Sequence, residues 1–392
     1  MVVTSSPSQG PNLGEISVLV ASPEIPEPER QSGSRKLFQQ IGLLRELGAD
    51  VTVVCENDRG PHDRLLLEQS GVPVFPFREL PRLLSNVHFD LALVAFWSFA
   101  EQCIPMIRER APWMAIMIDS IDLHFVRRVR EELRMASTSE LQDSDAILGA
   151  EMRRELNVYA AADLVLTVSQ REAKLINDVL IDAERAVWVP DWEDFPPSST
   201  PFDERRGILF VGNFRHPPNE DALAWLCTDI VPRIDRQALE RHPVAVVGNA
   251  LDDELLDLCK STAGVQPIGF VPSLLPYFGH ARLFVAPLLT GAGTKRKLIQ
   301  AAMVGVPTVA TSIATEGLDI VDGEGVLIAD DAVTFAERIS SHLEDRERWT
   351  AVAQRGRDRI IRSNGPETAR QQLVEAVRRA LRSVGVGGSP NG

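Results

Sequence analysis

LFVAPLLTGAGTKRKLIQAAMVGVPTVAT, residues 283–311, is the stretch that decides the fold. Its first run, LFVAP (283–287), is apolar on both parities, as a strand covered on both faces must be. Gly291 and Gly293 then leave the backbone bare, and Thr294 is a residue type that caps helices. Leu298, Ala301 and Ala302 recur at helical spacing and give the next segment an inward face, which Gly305 and Pro307 end. A second buried run, PTVAT (307–311), follows. Strand, glycine turn, helix and strand in this order make a βαβ unit, the building block of a parallel sheet.

Outward from this unit the same alternation covers almost the whole chain. Toward the amino terminus the runs are VAVVG (244–248) and ILFVG (208–212), preceded by LVLTVS (164–169), WMAIMID (113–119), LALVAF (91–96), VTVV (51–54) and ISVLVA (16–21). Toward the carboxy terminus lies GVLIA (325–329). Amphipathic segments separate them, such as Leu37, Ile41, Leu44 and Leu47 before Gly48. The series breaks once, at DWEDFPPSSTPFDERR (191–206), read as a linker. The expected architecture is α/β, with two doubly wound Rossmann-like domains facing across a cleft. Residues 15–195 make the amino-terminal domain and 196–383 the carboxy-terminal one, with disordered ends at 1–14 and 384–392. At roughly 150 residues per domain, 392 residues also suit two.

Charge narrows the function. The 41 basic and 55 acidic side chains give a formal net of −14, which weighs against binding a nucleic-acid backbone or an anionic membrane. Residues 1–195 carry 19 basic and 31 acidic side chains, whereas 196–392 are nearly balanced. Only five lysines are present, and two of them, Lys295 and Lys297, flank Arg296 in the quoted unit. The cysteines Cys55, Cys103, Cys227 and Cys259 show no paired metal or redox spacing. The first residues lack a signal-peptide pattern, and the longest nearly unbroken apolar run, 91–100, is about half a membrane span. A cytoplasmic protein with no transmembrane segment is expected.

In doubly wound sheets, ligands sit beyond the carboxyl ends of the strands. A glycine turn feeding a helix amino terminus there is an anion site, because backbone N–H groups and the helix dipole both point outward. Three cations in that first turn oppose the dipole, and a bound diphosphate would supply the reason. Arg215 and His216 follow ILFVG directly, with Asn219 or Asp221 placed to cap the next helix. GFV (269–271) and TEGL (315–318) line the same rim.

The succession FVGNFRHPPN, VAVVG, GFVPSLLPYF, LFVAPLLTGAGTKRK and AAMVGVPTVATSIATEGL, over about 207–345, resembles the donor-binding domain of group 1 (family-four type) retaining glycosyltransferases of the GT-B fold. The resemblance implies a nucleotide diphosphate sugar as substrate and no separate cofactor or metal. It places Asn213, Arg215, Gly291, Gly293, Thr294, Lys295, Lys297, Gln300 and Glu316 at the donor. Two glutamates eight positions apart are common in that family, the second touching the ribose hydroxyls; Ala292 and Gln300 stand at those positions here. An amide can still bond hydroxyls, though it donates as well as accepts. In the fold resembled, the last helix crosses back to the first domain.

In the first half, Gly33, Ser34 and Arg35 open a helix and resemble the family's loop facing the diphosphate and acceptor; a plain turn fits them as well. DSIDLH (119–124) places Asp122 and His124 at a strand end, where they would orient a sugar hydroxyl or act as a general base. The bland reading makes Asp122 the N-cap of a helix with His124 facing solvent. Arg127, Arg128 and Arg130 read as an exposed helix face offset by Glu131 and Glu132. DSD (143–145) lacks a preceding strand and is discounted as a metal motif. Ser169 and Glu172 have the spacing of a capping box.

The expected function is transfer of a hexose from the nucleotide sugar to an alcohol acceptor with retention, in polysaccharide or glycoconjugate biosynthesis, with domain closure excluding water. The acceptor is unknown; the acidic first half argues against a lipid phosphate held on a broad basic face. The alternative is a catalytically impaired, glycosyltransferase-like nucleotide-binding or partner subunit. A two-domain dehydrogenase is disfavoured, since no Gly-x-Gly-x-x-Gly follows any strand.

Overall fold

The computed structural model describes residues 13–14, 16–27, 32–57, 61–135 and 141–385. The chain divides into two compact units. Within the described residues, the first runs to Phe125 and takes in Gln142–Pro190 and the chain from Ala369. The second comprises Val126–Leu141 and Asp191–Thr368.

The first unit contains β1 (Ser17–Glu24), β2 (Asp50–Asn57), β3 (Val74–Pro76), β4 (Leu91–Ala95), β5 (Ala115–Asp119), β6 (Leu164–Thr167) and β7 (Ala186–Trp188). They form one sheet in the order β3-β2-β1-β4-β5-β6-β7, parallel throughout. The second unit contains β8 (Ile208–Asn213), β9 (Val244–Asn249), β10 (Val265–Gly269), β11 (Leu283–Ala286), β12 (Thr308–Ala310) and β13 (Val326–Ile328). Their order is β10-β9-β8-β11-β12-β13, again parallel. Each sheet reverses its strand order once, at β1/β4 and at β8/β11, and such switch points are where doubly wound sheets open a crevice.

Every one of the ten apolar runs falls on a strand. β1, β4 and β5 bury Val18–Ala21, Leu91–Ala95 and Ala115–Ile118 almost completely, as strands covered on both faces must. β3, β7 and β10 are not among those runs, and all three are sheet edges. β10 alternates buried and less buried residues and includes Pro267, which an edge tolerates because no ladder N–H is required on its outer side.

The segment 191–206 begins where the two units divide, but its start is not a solvated linker. Asp191, Trp192 and Glu193 are buried, and Arg205 is buried too, so its start is part of the second unit's interior. Its charges mislead because their partners lie about a hundred residues later, as described below. The last helix, Pro366–Ser383, belongs to the first unit from Ala369 onward. Of the ends expected to be disordered, residues 1–12 and 386–392 lie outside the described residues. Leu13 N–H donates to Leu47 O at 3.1 Å, and Gly385 N–H to Arg382 O at 3.2 Å. Among the described residues, no helix is long and apolar enough to cross a membrane.

Glycine lets two strand ends meet where the second sheet opens. Gly212 and Gly248 are in register on β8 and β9, and a Cβ on Gly248 (φ +155°) would lie 1.7 Å from Gly212 O. No side chain fits there.

Candidate functional site

In the second unit the glycine turn leads into the helix Arg296–Val304, whose N-cap is Lys295, without a side-chain capping bond. Thr294 is therefore not the cap; its hydroxyl donates to Asp191 Oδ2. The three cations of this turn have separate roles. Arg296, 6% exposed, pairs with Asp191 Oδ1 at 3.0 Å and Glu193 Oε1 at 3.1 Å, and donates to Trp192 O at 2.9 Å. It is a buried fork that joins the 191–193 segment to the helix start. No phosphate is needed to account for Arg296 against the helix dipole, because two carboxylates already offset its charge. Lys295 turns back on its own loop and donates to Ala292 O at 3.0 Å and Gly293 O at 2.6 Å.

Lys297 differs from both. Its Nζ donates to Val211 O and Asn219 Oδ1, each at 2.9 Å, and lies 5.6 Å from the centre of the Phe210 ring. Its partners are neutral, and burial, with Lys295 nearby, pushes its pKa down to about 7. A cation without a carboxylate, at the end of β8 beside the switch point, is an anion site in electrostatic terms.

Asn219 or Asp221 was expected as a helix cap. The helix Pro217–Trp225 instead starts from His216, with proline in its first turn. Asn219 lies inside that turn, donating to Asn213 O at 2.9 Å while accepting from Lys297. Asn213 Oδ1 accepts Arg215 N–H at 3.2 Å. Arg215 itself is exposed, and its guanidinium has no partner among the described residues.

A second cluster ties the rim loops together. Arg130 forms a two-pronged pair with Glu316, one prong at 2.9 Å, and also donates to Gly291 O at 2.6 Å. This replaces the expected exposed, locally paired helix face; the side chains of Glu131 and Glu132 lie outside the described residues. Thr311 caps the short helix Ser312–Thr315, accepting from Ala314 N–H, and donates to Leu288 O. Gln300, 8% exposed, donates from Nε2 to Glu193 Oε1 at 2.9 Å. Of the residues expected at the donor, Asn213 and Lys297 therefore share Asn219, Thr294 and Gln300 share the 191–193 carboxylates, and Gly291 and Glu316 share Arg130. The Arg215 side chain joins none of these groups; only its backbone N–H reaches Asn213.

In the first unit, Gly33, Ser34 and Arg35 occupy the first turn of the helix Ser32–Glu46. Gly33 is explained by packing: a Cβ there would lie 2.9 Å from Ile121 Cγ2. Ile121 follows β5 with φ 65°, and Phe96 follows β4 with φ 66°. Non-glycine residues in this region carry strain, and strain gathers where a strand end must present a side chain.

His124 is presented there. Its Nε2 lies 3.1 Å from Asp122 Oδ1, and its ring centroid lies 6.3 Å from that of Phe96 and 6.2 Å from that of Trp97. Both members of the pair are partly exposed, which suits contact with a ligand. Asp122 is not the N-cap. The first N–H groups of the helix His124–Met135 donate to Glu155, His124 N–H to Oε1 at 3.0 Å and Phe125 N–H to Oε2 at 2.9 Å, and Tyr159 OH adds a third bond at 2.8 Å. Burial raises the Glu155 carboxyl above its ordinary range, with these hydrogen bonds opposing the rise. Sequence reading missed Glu155; the Glu155–Tyr159 spacing on a helix is shared by ordinary surface pairs and does not mark it. Ser169 does cap the helix Gln170–Leu180, accepting Glu172 N–H. No group of three or more His, Cys, Asp or Glu among the described residues is placed to hold a metal ion.

Residues 205–345 match the family described as Glycosyl transferases group 1. A protein of Klebsiella pneumoniae described as an uncharacterized 44.6 kDa protein in cps region is 28% identical, over 84% of this chain and 91% of its own length. Among solved structures, HepE of Anabaena in complex with UDP superposes with a TM-score of 0.69 at 16% identity, covering 93% of this chain and all of that one. Sucrose-phosphate synthase of Thermosynechococcus elongatus gives 0.68 at 15% identity, covering 94% and 100%. Residues 205–345 are therefore similar to a group 1 glycosyl transferase domain, and the chain has the GT-B fold.

Proposed function

We propose that this protein transfers a hexose from a nucleotide diphosphate sugar to an alcohol acceptor, with retention at the anomeric carbon and without a metal, in polysaccharide or glycoconjugate biosynthesis. The observation that carries the reading is Lys297, a cation at the end of β8 with only neutral partners. A diphosphate supplies the missing charge. Breaking the bond from the sugar to the diphosphate leaves negative charge on the phosphate oxygens, which Lys297, Arg215, Lys295 and the first N–H groups of the helix Arg296–Val304 would stabilise. Gln300 would hold the ribose, and Glu316 with the bare backbone at Gly291 and Gly293 would complete the donor rim. The acceptor oxygen forms the new bond to the sugar as the bond to the diphosphate breaks, and its proton passes to His124 or to a departing phosphate oxygen. His124, oriented by Asp122, would position that hydroxyl or the sugar, and Gly33, Ser34 and Arg35 would line the acceptor side. HepE was solved with UDP and with UDP-glucose, so a UDP-hexose is the first donor class to test.

The test is calorimetric titration with a panel of nucleoside diphosphates, together with assays of sugar loss from the matching donors. Lys297→Ala should weaken nucleotide binding, or lower kcat/KM, by at least about tenfold, the loss of one charge-assisted contact. Unchanged values would remove the phosphate role. A second reading has one observation in its favour: Gln300, at the position of the family's ribose-binding glutamate, is engaged with Glu193. On that reading the protein binds nucleotide without turnover, and binding with no sugar loss from any donor would establish it.

A further inference from the structure

Glu193 and Gln300 form a pair that sequence spacing does not reveal. Glu193 is 1% exposed, and one of its oxygens, Oε1, accepts from both Arg296 and Gln300. The segment carrying it is fixed from several sides. Glu193 N–H donates to Asn364 O, Asn364 Nδ2 donates to Asp191 O at 2.8 Å, and Arg296 reaches Asp191, Trp192 and Glu193 together. A carboxylate held by a guanidinium is ionised and can only accept. The Gln300 amide beside it must therefore turn its NH2 toward Glu193. Its carbonyl oxygen takes no hydrogen bond from the described residues. Gln300 also stands three positions after Lys297, one helical turn along the same surface.

We propose that Glu193 is a positioning residue for ribose recognition. By taking one N–H of the Gln300 amide and fixing its orientation, it leaves the amide oxygen free to accept from the ribose hydroxyls, so that a glutamine does an acceptor's work. The charge of Glu193 polarises the amide and strengthens that oxygen as an acceptor. The same pair explains why glutamate is absent at position 300. A carboxylate there would face that of Glu193 within hydrogen-bond distance in a buried place, and two like charges cannot both stay ionised. The inference rests on reading the second unit as a nucleotide site.

The experiment measures the affinities of UDP, 2′,3′-dideoxy-UDP and inorganic pyrophosphate by calorimetry. The wild-type protein should prefer UDP to the dideoxy compound by about tenfold, the equivalent of about one good hydrogen bond. Glu193→Gln should cut that preference at least threefold without weakening pyrophosphate binding, and Gln300→Ala sets the floor. The exchange variant Glu193→Gln/Gln300→Glu, in which a glutamine donates to a glutamate, should recover the wild-type preference, whereas Gln300→Glu alone should not. Recovery also shows that the exchanged pair folds. A wild-type preference retained in Glu193→Gln, or no recovery in the exchange variant, overturns the proposal. If the wild-type protein binds pyrophosphate but shows no preference for UDP over the dideoxy compound, the ribose role fails while the phosphate site stands. Binding of none of the three overturns the nucleotide reading itself.

Discussion

Lys36 Nζ lies 2.8 Å from Asp119 Oδ1, and neither side chain is more than 1% exposed. Gln40 Nε2 holds the other oxygen at 2.8 Å, and Ile121 N–H donates to Oδ1 at 3.1 Å. The carboxylate at the end of β5 thus joins the helix Ser32–Glu46 to the turn that leads to Asp122 and His124. Removing one partner of a buried pair leaves an uncompensated charge, so Lys36→Met should lower stability by about 3–5 kcal/mol. Lys36→Met/Asp119→Asn, which removes both charges, should recover much of that loss. Denaturant midpoints of the two variants decide it: equal midpoints would mean that the pair is not coupled.

At Gly248 the prediction concerns shape. A Cβ there meets the Gly212 carbonyl, and backbone cannot rotate away as a side-chain tip can. Gly248→Ala should cost about 2–3 kcal/mol, at the upper end of overpacking, and should weaken nucleotide binding because Asn213 follows directly on β8. Thermal unfolding and UDP titration read the two effects. Gly385→Ala, where no atom lies within 4 Å of the added Cβ, is the control away from the strand ends; its left-handed φ bears only a local cost.

How far the sequence spoke for itself can be seen at particular residues. Runs such as Val18–Ala21 and Leu283–Ala286 are legible because a strand buried on both faces must be apolar at every position. Edge strands such as Val74–Pro76 and Ala186–Trp188 bury too little to leave that mark. Among site residues, Lys297 stood out through the scarcity of lysine and its place after a glycine turn. Arg296, its neighbour, looked equivalent until Asp191 and Glu193 were found beside it. Those carboxylates sit in a stretch rich in proline, serine and charge, which reads as linker because composition does not reveal a partner a hundred residues away. The pairings of Lys36, Asp119, Glu155 and Arg130 escaped for the same reason: each is set by tertiary packing.

His124 and Asp122 support a prediction that separates chemistry from donor binding. His124→Ala should lower kcat by about 10²–10⁴, the usual contribution of a positioned acid or base, with nucleoside diphosphate affinity unchanged. Asp122→Asn keeps the shape but weakens the hold on the ring, and a smaller loss is expected. Steady-state kinetics with a turned-over donor, paired with calorimetry, gives both numbers. An intact kcat in His124→Ala would confine this residue to a structural part against Phe96 and Trp97.

The pH dependence of nucleotide binding follows from Lys297. Its pKa in the unliganded protein is pushed down to about 7, so the ammonium is charged below that value and neutral above it. An ordinary lysine stays charged well beyond, so carrying the charge costs stability in the folded protein, and that cost grows as pH falls from the usual lysine range and levels off below about 7. A bound diphosphate favours the ammonium and raises its pKa in the complex. Binding above about pH 7 must therefore take up a proton, and affinity should fall as pH rises, by up to about tenfold per unit. Lys297→Arg, charged at every accessible pH, should bind UDP with little change between pH 7 and 9. Calorimetry in buffers of different ionisation enthalpy counts the proton directly. The wild-type protein should take up close to one near pH 8 and Lys297→Arg close to none, and equal uptake in the two would place the titrating group elsewhere.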